Sequence, residues 1–263
     1  MSAEAKAERV GEIIRGQLPL IIAYSGGVDS TCLLALAHRA AAGNVLGVIA
    51  DSPSLPRAAL DAALENAARI GAQVEVLKTA EFDNESYLAN PPNRCYFCKA
   101  ELFAALENLA RARGFRAIAY GENADDPADL RPGSRAAAEF HVLAPLKAAG
   151  LTKAEVREIS RTLGLPTHDA PAQPCLSSRI PHGTRVTGEA LGLIERGELL
   201  VRAMGFRVFR VRYVERPGGP GARVQIAPDE MAGLASREEE LCGALRKVGF
   251  QHVEIDPSGY RSP

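Results

Sequence analysis

Leu18-Pro19-Leu20-Ile21-Ile22-Ala23-Tyr24 runs directly into Ser25-Gly26-Gly27-Val28-Asp29-Ser30, and the reading of this stretch decides the fold. The apolar run reads as a buried strand and the glycine pair as a tight turn. A helix is expected to open at Thr31 and run to Ala42. A turn of this kind leaves backbone N–H groups unsatisfied at a helix N-terminus, where the partial positive charge of the dipole favours phosphate. Gly26 and Gly27 let the backbone approach a ligand without interference from a Cβ. Ser25, Ser30 and Thr31 add hydroxyls, and Asp29 suits a magnesium ion or the orientation of the turn. No Gly-Lys-Ser/Thr follows, so this is not the Walker phosphate loop.

Outward from this turn, strand-like and helix-like segments alternate. Strands are expected at Val45–Ala50, Val74–Lys78 and Ala117–Tyr120, with helices at Leu55–Ile70 and Lys99–Arg113. A short amphipathic helix precedes them at residues 3–16. Thr152 and Glu155 form a capping-box pattern that opens a helix reaching Leu163, closed by Gly164 and Pro166. This alternation predicts an α/β fold, a doubly wound parallel sheet covered on both faces, whose ligands bind at the carboxyl ends of the strands. Asp51, after the second strand, and Gly121-Glu122-Asn123-Ala124-Asp125-Asp126, after the fourth, fall at such ends. Asp51 is suited to a ribose hydroxyl, a metal ion or a simple cap. The carboxylate pair Asp125 and Asp126 suits magnesium at a phosphate site, or a solvated acidic loop.

Four prolines, Pro166, Pro171, Pro174 and Pro181, mark a change of pattern. A domain boundary is placed there, giving residues 1–170 and 171–263. Beyond it, a helix at Thr187–Met204, strands at Arg207–Val214 and Arg223–Ile226, a helix at Pro228–Val248 and a strand at His252–Ile255 predict a small α+β domain. Arg216 to Gly221 is expected to form a wide hairpin turn. The span Arg179–Arg216 holds eight Arg against four Glu. In its strand, period two puts Arg210 and Arg212 on one face, about 7 Å apart. Two fixed guanidinium groups fit a phosphate or carboxylate, or else pair with glutamates on an exposed face. Glu198 and Asp229 are candidates to orient them.

The chain has five cysteines. Cys95-Tyr96-Phe97-Cys98 is a C-x-x-C, which by itself is open to zinc, a redox pair, an iron–sulfur ligand pair or coincidence. Cys175 lies in Pro174-Cys175-Leu176-Ser177-Ser178-Arg179. Three thiols are too few for an all-cysteine zinc site. They suit an iron–sulfur cluster with one open iron, or zinc completed by a His or carboxylate. Lys99, Arg94 and Arg179 would favour the thiolates. Cys32 and Cys242 read as buried core thiols.

The net charge of −1, the absence of Trp and an aromatic content of 5% argue against a nucleic-acid partner. No apolar run approaches the roughly 20 residues of a membrane span. Met1–Glu8 lacks a signal-peptide core, so a cytoplasmic location is expected.

Taken together, the segments Tyr24–Ser30, Ala50–Pro56, Asn93–Lys99, Gly121–Asp126, Asp129–Gly133, Gly150–Arg157 and Pro174–Thr184 resemble the LarE family. These are PP-loop sulfur transferases of nickel-pincer nucleotide cofactor synthesis, and the likeness runs over about residues 5 to 257. It implies a PP-loop ATP pyrophosphatase fold of the HUP-like class. It implies ATP bound through Ser25, Gly26, Gly27, Asp29, Ser30, Asp51 and Asp125, with Mg2+ on Asp29 and Asp125. ATP would adenylate a carboxylate of a pyridinium biscarboxylic acid mononucleotide, and sulfur would then displace AMP to leave a thiocarboxylate. Ser178, Arg179, Glu198, Arg210, Arg212 and Asp229 would line the substrate pocket. Some members of the family have only the cysteine matching Cys175 and sacrifice its sulfur, becoming dehydroalanine. This chain also has Cys95 and Cys98, and so resembles the branch in which three cysteines hold a 4Fe-4S cluster supplied by sulfide or another sulfur donor. The resemblance further implies a homo-oligomer, a trimer or hexamer. Competing readings are a PP-loop tRNA thiolase, an amide-forming ligase that would not need the cysteines, and a non-enzymatic nucleotide or iron–sulfur sensor.

Overall fold

The computed structural model describes residues 1–126, 132–171 and 174–260. Asp129, Leu130 and Arg131 of the segment quoted above lie outside the described residues. The chain forms two compact units. Residues 1–84 and 93–170 make the first, and residues 85–92 and 171–263 the second.

In chain order, the first unit begins with α1 (Ala3–Arg15), β1 (Leu20–Ala23), α2 (Val28–Ala41), β2 (Val45–Asp51), α3 (Arg57–Ile70) and β3 (Val74–Lys78). A single turn, α4 (Glu85–Leu88), belongs to the second unit. The first unit is completed by α5 (Arg94–Arg113), β4 (Ala117–Tyr120), α6 (Pro132–Glu139), α7 (Pro145–Ala148) and α8 (Lys153–Thr162). Its four strands are all parallel, in the order β3-β2-β1-β4.

Both faces of this sheet are covered, as short all-apolar strands require. Leu20 and Ile22 of β1 pack with α1, α2 and α8 residues such as Val10, Leu33 and Val156. Ile21 points the other way, into a cluster with Phe103 and Leu106 of α5 and Ala136 of α6. Period two along one strand therefore feeds two cores. β1 is central, and the chain leaves it for β2 on one side while β4 lies on the other. The point where the strand order reverses thus lies at the carboxyl ends of β1 and β4, where a doubly wound sheet opens a crevice.

The second unit contains α9 (Gly188–Ala203), β5 (Phe209–Arg216), β6 (Gly219–Ile226), α10 (Met231–Ala235), α11 (Glu238–Val248) and β7 (His252–Ile255). Its sheet order is β5-β6-β7, antiparallel then parallel. Val201, Val211, Val224, Leu241, Leu245 and Phe250 form its core.

Several expected boundaries move. α2 opens at Val28 rather than Thr31, because Gly27 is already its N-cap in extended geometry. α5 starts at Arg94, five residues early, so both cysteines of the C-x-x-C are helical. The hairpin is tight rather than wide: Arg216 pairs with Gly219, leaving only Pro217 and Gly218 in the turn. The expected helix Pro228–Val248 is two helices, α10 and α11, broken at Ser236 and Arg237.

The capping box of α8 forms as expected. Thr152 Oγ1 accepts from Glu155 N at 3.3 Å, and Thr152 N donates to Glu155 Oε2 at 2.8 Å. Lys6 of α1 donates to the same carboxylate at 2.6 Å. The Lys6 hydrogen bond, then the Thr152 N–H, hold the Glu155 carboxyl down at about 2 against an ordinary 4.5. A depressed carboxyl pKa means a stabilisation that is complete above the ordinary pKa and disappears as pH falls through the folded one. Glu155→Ala is therefore expected to lower the melting temperature at neutral pH, and its difference from wild type should shrink as pH falls from about 4.5 to about 2. Thermal unfolding of both proteins across that range measures this.

Candidate functional site

Ser25-Gly26-Gly27 links β1 to α2 at the reversal point of the sheet. Gly26 has φ +74°, and a Cβ there would lie 2.7 Å from Ala63 Cβ of α3, so only glycine fits. The hydroxyls close the turn on itself. Ser30 Oγ accepts from Ser25 N at 3.2 Å, lies 3.0 Å from Ser25 Oγ and donates to Gly27 O at 3.1 Å. Gly27 has no side chain to cap α2, so the first-turn N–H groups of the helix have no side-chain acceptor from their N-cap, the arrangement that binds phosphate elsewhere. Thr31 differs from expectation: it is fully buried and faces the core, so its hydroxyl does not serve the turn.

From the other side of the reversal point comes Gly121, just past β4. A Cβ here would lie 2.7 Å from Ser30 N and 2.9 Å from Ser30 Cα, so the missing side chain lets the two loops touch. Beyond it, buried Asn123 donates to Asp29 Oδ1 at 3.4 Å, and Lys153 Nζ lies 2.5 Å from Asp29 Oδ2. Asp125 Oδ2 accepts from Lys153 N at 2.8 Å, and Asp126 Oδ2 from Asn123 N at 3.1 Å. Asp29 and Asp125 thus meet the two ends of one residue, Lys153, the first of α8. Sequence reading quoted Lys153 inside a motif without giving it a role; its position directly after the capping Thr152 was the available signal.

Glu122 was likewise missed. It is buried and accepts from Tyr120 Oη, from Ser134 Oγ at 2.7 Å and from Lys147 Nζ at 3.4 Å. Burial pushes its carboxyl up, but those donors outweigh it and hold it below the usual range. Burial and the Glu122 hydrogen bond push the Tyr120 phenol up. Asp51, the last residue of β2, pairs with Arg57 Nη1 at 2.7 Å. With Ser52, Pro53, Lys78 and Thr79 these two line a cavity of about 350 Å³ at the carboxyl ends of β2 and β3.

Cys95 and Cys98 lie three residues apart on the first turns of α5, Cys95 exposed and Cys98 half-buried. Lys99, next along, holds its ammonium 4.8 Å from the centroid of the Tyr120 ring. Cys175 belongs to the second unit, half-buried at the cap of a 3-10 turn, Leu176–Arg179. Among the described residues no disulfide forms, and no group of three or more His, Cys, Asp and Glu is assembled as a metal site. Cys32 is fully buried, and desolvation pushes its thiol up to about 12. Cys242, expected in the core, is only half-buried, though desolvation raises it too.

In the second unit the expected pocket residues converge, with one exception. Arg179 is buried and forks onto Glu198: Nε to Oε1 at 2.8 Å and Nη2 to Oε2 at 3.0 Å. Its Nη1 donates to Pro174 O at 2.7 Å and to Ser178 Oγ at 2.8 Å, which orders the backbone around Cys175. Its charge is paired with the Glu198 carboxylate. Glu198 also accepts from Val211 N at 3.2 Å, between the two strand arginines. Arg212 Nη1 donates to Ser178 O at 3.2 Å. Arg210 is buried, and desolvation, then the like charge of Arg179, push its guanidinium below the usual range. Asp229 is the exception. It is exposed in the turn after β6, and the carboxylate that grips the start of β5 is its neighbour Glu230, which accepts from Arg207 N and Val208 N at 3.0 and 3.1 Å.

A protein of Synechocystis sp., itself uncharacterized, is 40% identical over 98% of this chain and 96% of its own length. A pyridinium-3,5-bisthiocarboxylic acid mononucleotide synthase of Lactiplantibacillus plantarum is 28% identical over 92% of this chain and 86% of its own length. The chain belongs to the LarE family. A glutamine-hydrolysing GMP synthase of Thermomicrobium roseum is 31% identical over 76% of this chain, which spans 43% of that longer protein. No protein-family model matches the chain. No helix among the described residues is long and apolar enough to cross a membrane.

The Arg179–Glu198 pair gives a test of the geometry alone. Removing one partner of a buried pair strands the other charge and costs about 3–5 kcal/mol. Glu198→Ala is expected to lose stability on that scale in urea unfolding, whereas Glu189→Ala, at an exposed position in the first turn of the same helix, should cost far less.

Proposed function

We propose that this protein is an ATP-dependent sulfur transferase that converts a carboxylate of a pyridinium biscarboxylic acid mononucleotide to a thiocarboxylate. The observation that carries the reading is the uncapped glycine–hydroxyl turn at the strand-order reversal of the first unit, in a LarE-family chain. Such a turn binds the phosphates of a nucleotide through backbone N–H groups and the helix dipole. A substrate carboxylate oxygen attacks the α-phosphorus of ATP and pyrophosphate leaves, giving an acyl adenylate. Sulfur then attacks the acyl carbon and AMP departs, leaving the thiocarboxylate. Activation replaces a poor leaving group, oxide, by a good one, AMP, so a sulfur nucleophile succeeds under mild conditions.

Ser25, Gly26, Gly27 and Ser30 would hold phosphate oxygens, and Asp51 a ribose hydroxyl. Lys153 beside Asp29 offers a cation to the departing pyrophosphate. Magnesium takes one or two carboxylates plus phosphate oxygens, which fits Asp29 and Asp125, both in contact with that lysine. Ser178, Arg179, Glu198, Arg210, Arg212 and Asp229 would receive the mononucleotide. The two strand arginines supply the cations for its phosphate and carboxylates, and Glu198 keeps Arg179 fixed.

Cys95, Cys98 and Cys175 would hold a 4Fe-4S cluster. A pair of thiols at adjacent accessible positions of one helix suits cluster ligation better than a buried structural role. When bound, the cluster supplies sulfide to the activated carboxyl. We propose a cytoplasmic enzyme, a homo-oligomer, with no nucleic-acid partner.

Protein purified without oxygen is expected to be brown with about four irons per chain. Cys95→Ala should lose most of the iron. Cys175→Ala should abolish thiocarboxylate formation yet still release pyrophosphate from ATP when the mononucleotide is present. Colourless protein that turns over once, with Cys175 converted to dehydroalanine, would instead make Cys175 a sacrificial donor. Absence of pyrophosphate release with the mononucleotide would overturn the reading. Gly121→Ala should raise the KM for ATP at least about tenfold, since its Cβ collides with the Ser30 backbone.

A further inference from the structure

Past β7 the second unit has a short segment, Asp256 to Tyr260, that folds back onto its own sheet. Asp256 N donates to Val224 O and Tyr260 N to Ile226 O, each at 2.8 Å, so the segment continues along β6. Ser258 N donates to Asp256 Oδ1 at 3.0 Å and Gly259 N to Asp256 O at 3.0 Å, which closes a tight turn. Gly259 has φ +66°, and a Cβ there would lie 2.7 Å from Ile226 O, so the turn needs glycine. The segment places two side chains against the arginine pair of β5. Tyr260 Oη accepts from Arg210 Nη2 at 3.0 Å, and the guanidinium carbon lies 4.4 Å from the centroid of the same ring. Asp256 Oδ2 accepts from Gln225 Nε2 at 2.8 Å, and Gln225 Oε1 in turn accepts from Arg212 Nε at 2.5 Å. Arg210 Nη1 also donates to Phe209 O at 2.6 Å.

Tyr260 is itself buried. A hydroxyl acceptor and a ring face on one guanidinium fix its plane and its rotamer. An arginine held in place before binding loses less conformational entropy when an anion arrives. We infer that Tyr260 is a positioning residue, which holds the Arg210 guanidinium in the orientation that receives the phosphate or a carboxylate of the substrate. The inference rests on the proposed function in assigning the anion, and on the contacts above in assigning the role.

Tyr260→Phe keeps the ring and removes the hydroxyl acceptor. In the full chain it is expected to raise the KM for the pyridinium mononucleotide about tenfold, while the KM for ATP holds. Gly259→Ala, which dislodges the segment, should raise the same KM further. An unchanged mononucleotide KM in both variants overturns the inference. So does an equal rise in both substrates' KM with a fall in melting temperature, which would mark a structural role only. If wild-type protein does not act on the mononucleotide at all, the functional reading fails and the positioning role is judged separately. NMR of arginine-labelled protein should then show faster solvent exchange of the Arg210 guanidinium protons in Tyr260→Phe, and unchanged exchange overturns the role.

Discussion

The closeness with which backbone approaches backbone around Ser25–Ser30 is the constraint on which the first unit depends. Gly26 touches α3, and Gly121 touches the first turn of α2. Either contact made by a residue with a Cβ would push the turn away from the sheet and tilt the helix N-terminus that points at the reversal of strand order. The apolar strands beneath hold this geometry because β1 is clamped between β2 and β4 and buried on both faces. The turn's suitability for an anion rests on packing rather than on any charged side chain: Gly27 gives the helix donors no side-chain cap, and the serine hydroxyls close the loop.

The second unit withdraws guanidinium groups from water. A buried charge is costly without a partner. Arg179 meets that cost with a two-pronged bond to Glu198, and Arg210 with a phenol. Glu198 also holds the backbone of β5 between Arg210 and Arg212, so one carboxylate couples the cap around Cys175 to the arginine strand. The exposed Asp229 has no such position, whereas the adjacent Glu230 closes the start of the strand.

Much of this was legible in the residues. The strands Val74–Lys78, Ala117–Tyr120 and His252–Ile255 appear with the expected ends, since each is a short apolar or alternating run bounded by turn-forming or polar residues. Thr152 and Glu155 announce α8 because a capping box is a local interaction three residues long. The misplaced starts of α2 and α5 share a cause. In both cases motif residues, Val28-Asp29-Ser30 and Arg94-Cys95-Tyr96, sit in the first turn of the helix rather than in the loop before it. The tight hairpin at Pro217-Gly218 was obscured by three further turn-forming residues, Gly219, Pro220 and Gly221, that join strand β6.

The sequence by itself determined the class of the sheet, the glycine turn after its first strand and the arginine pair on one face of β5, because each depends on periodicity or spacing within a few residues. Only tertiary structure decided which groups surround them. Lys153 reaches Asp29 across 124 residues of chain, Tyr260 reaches Arg210 across 50, and the turn Glu85–Leu88 joins the second unit although it lies within the first unit's span of sequence. Those pairings follow from strand order and from the folding back of remote segments, and no local pattern of residues records them.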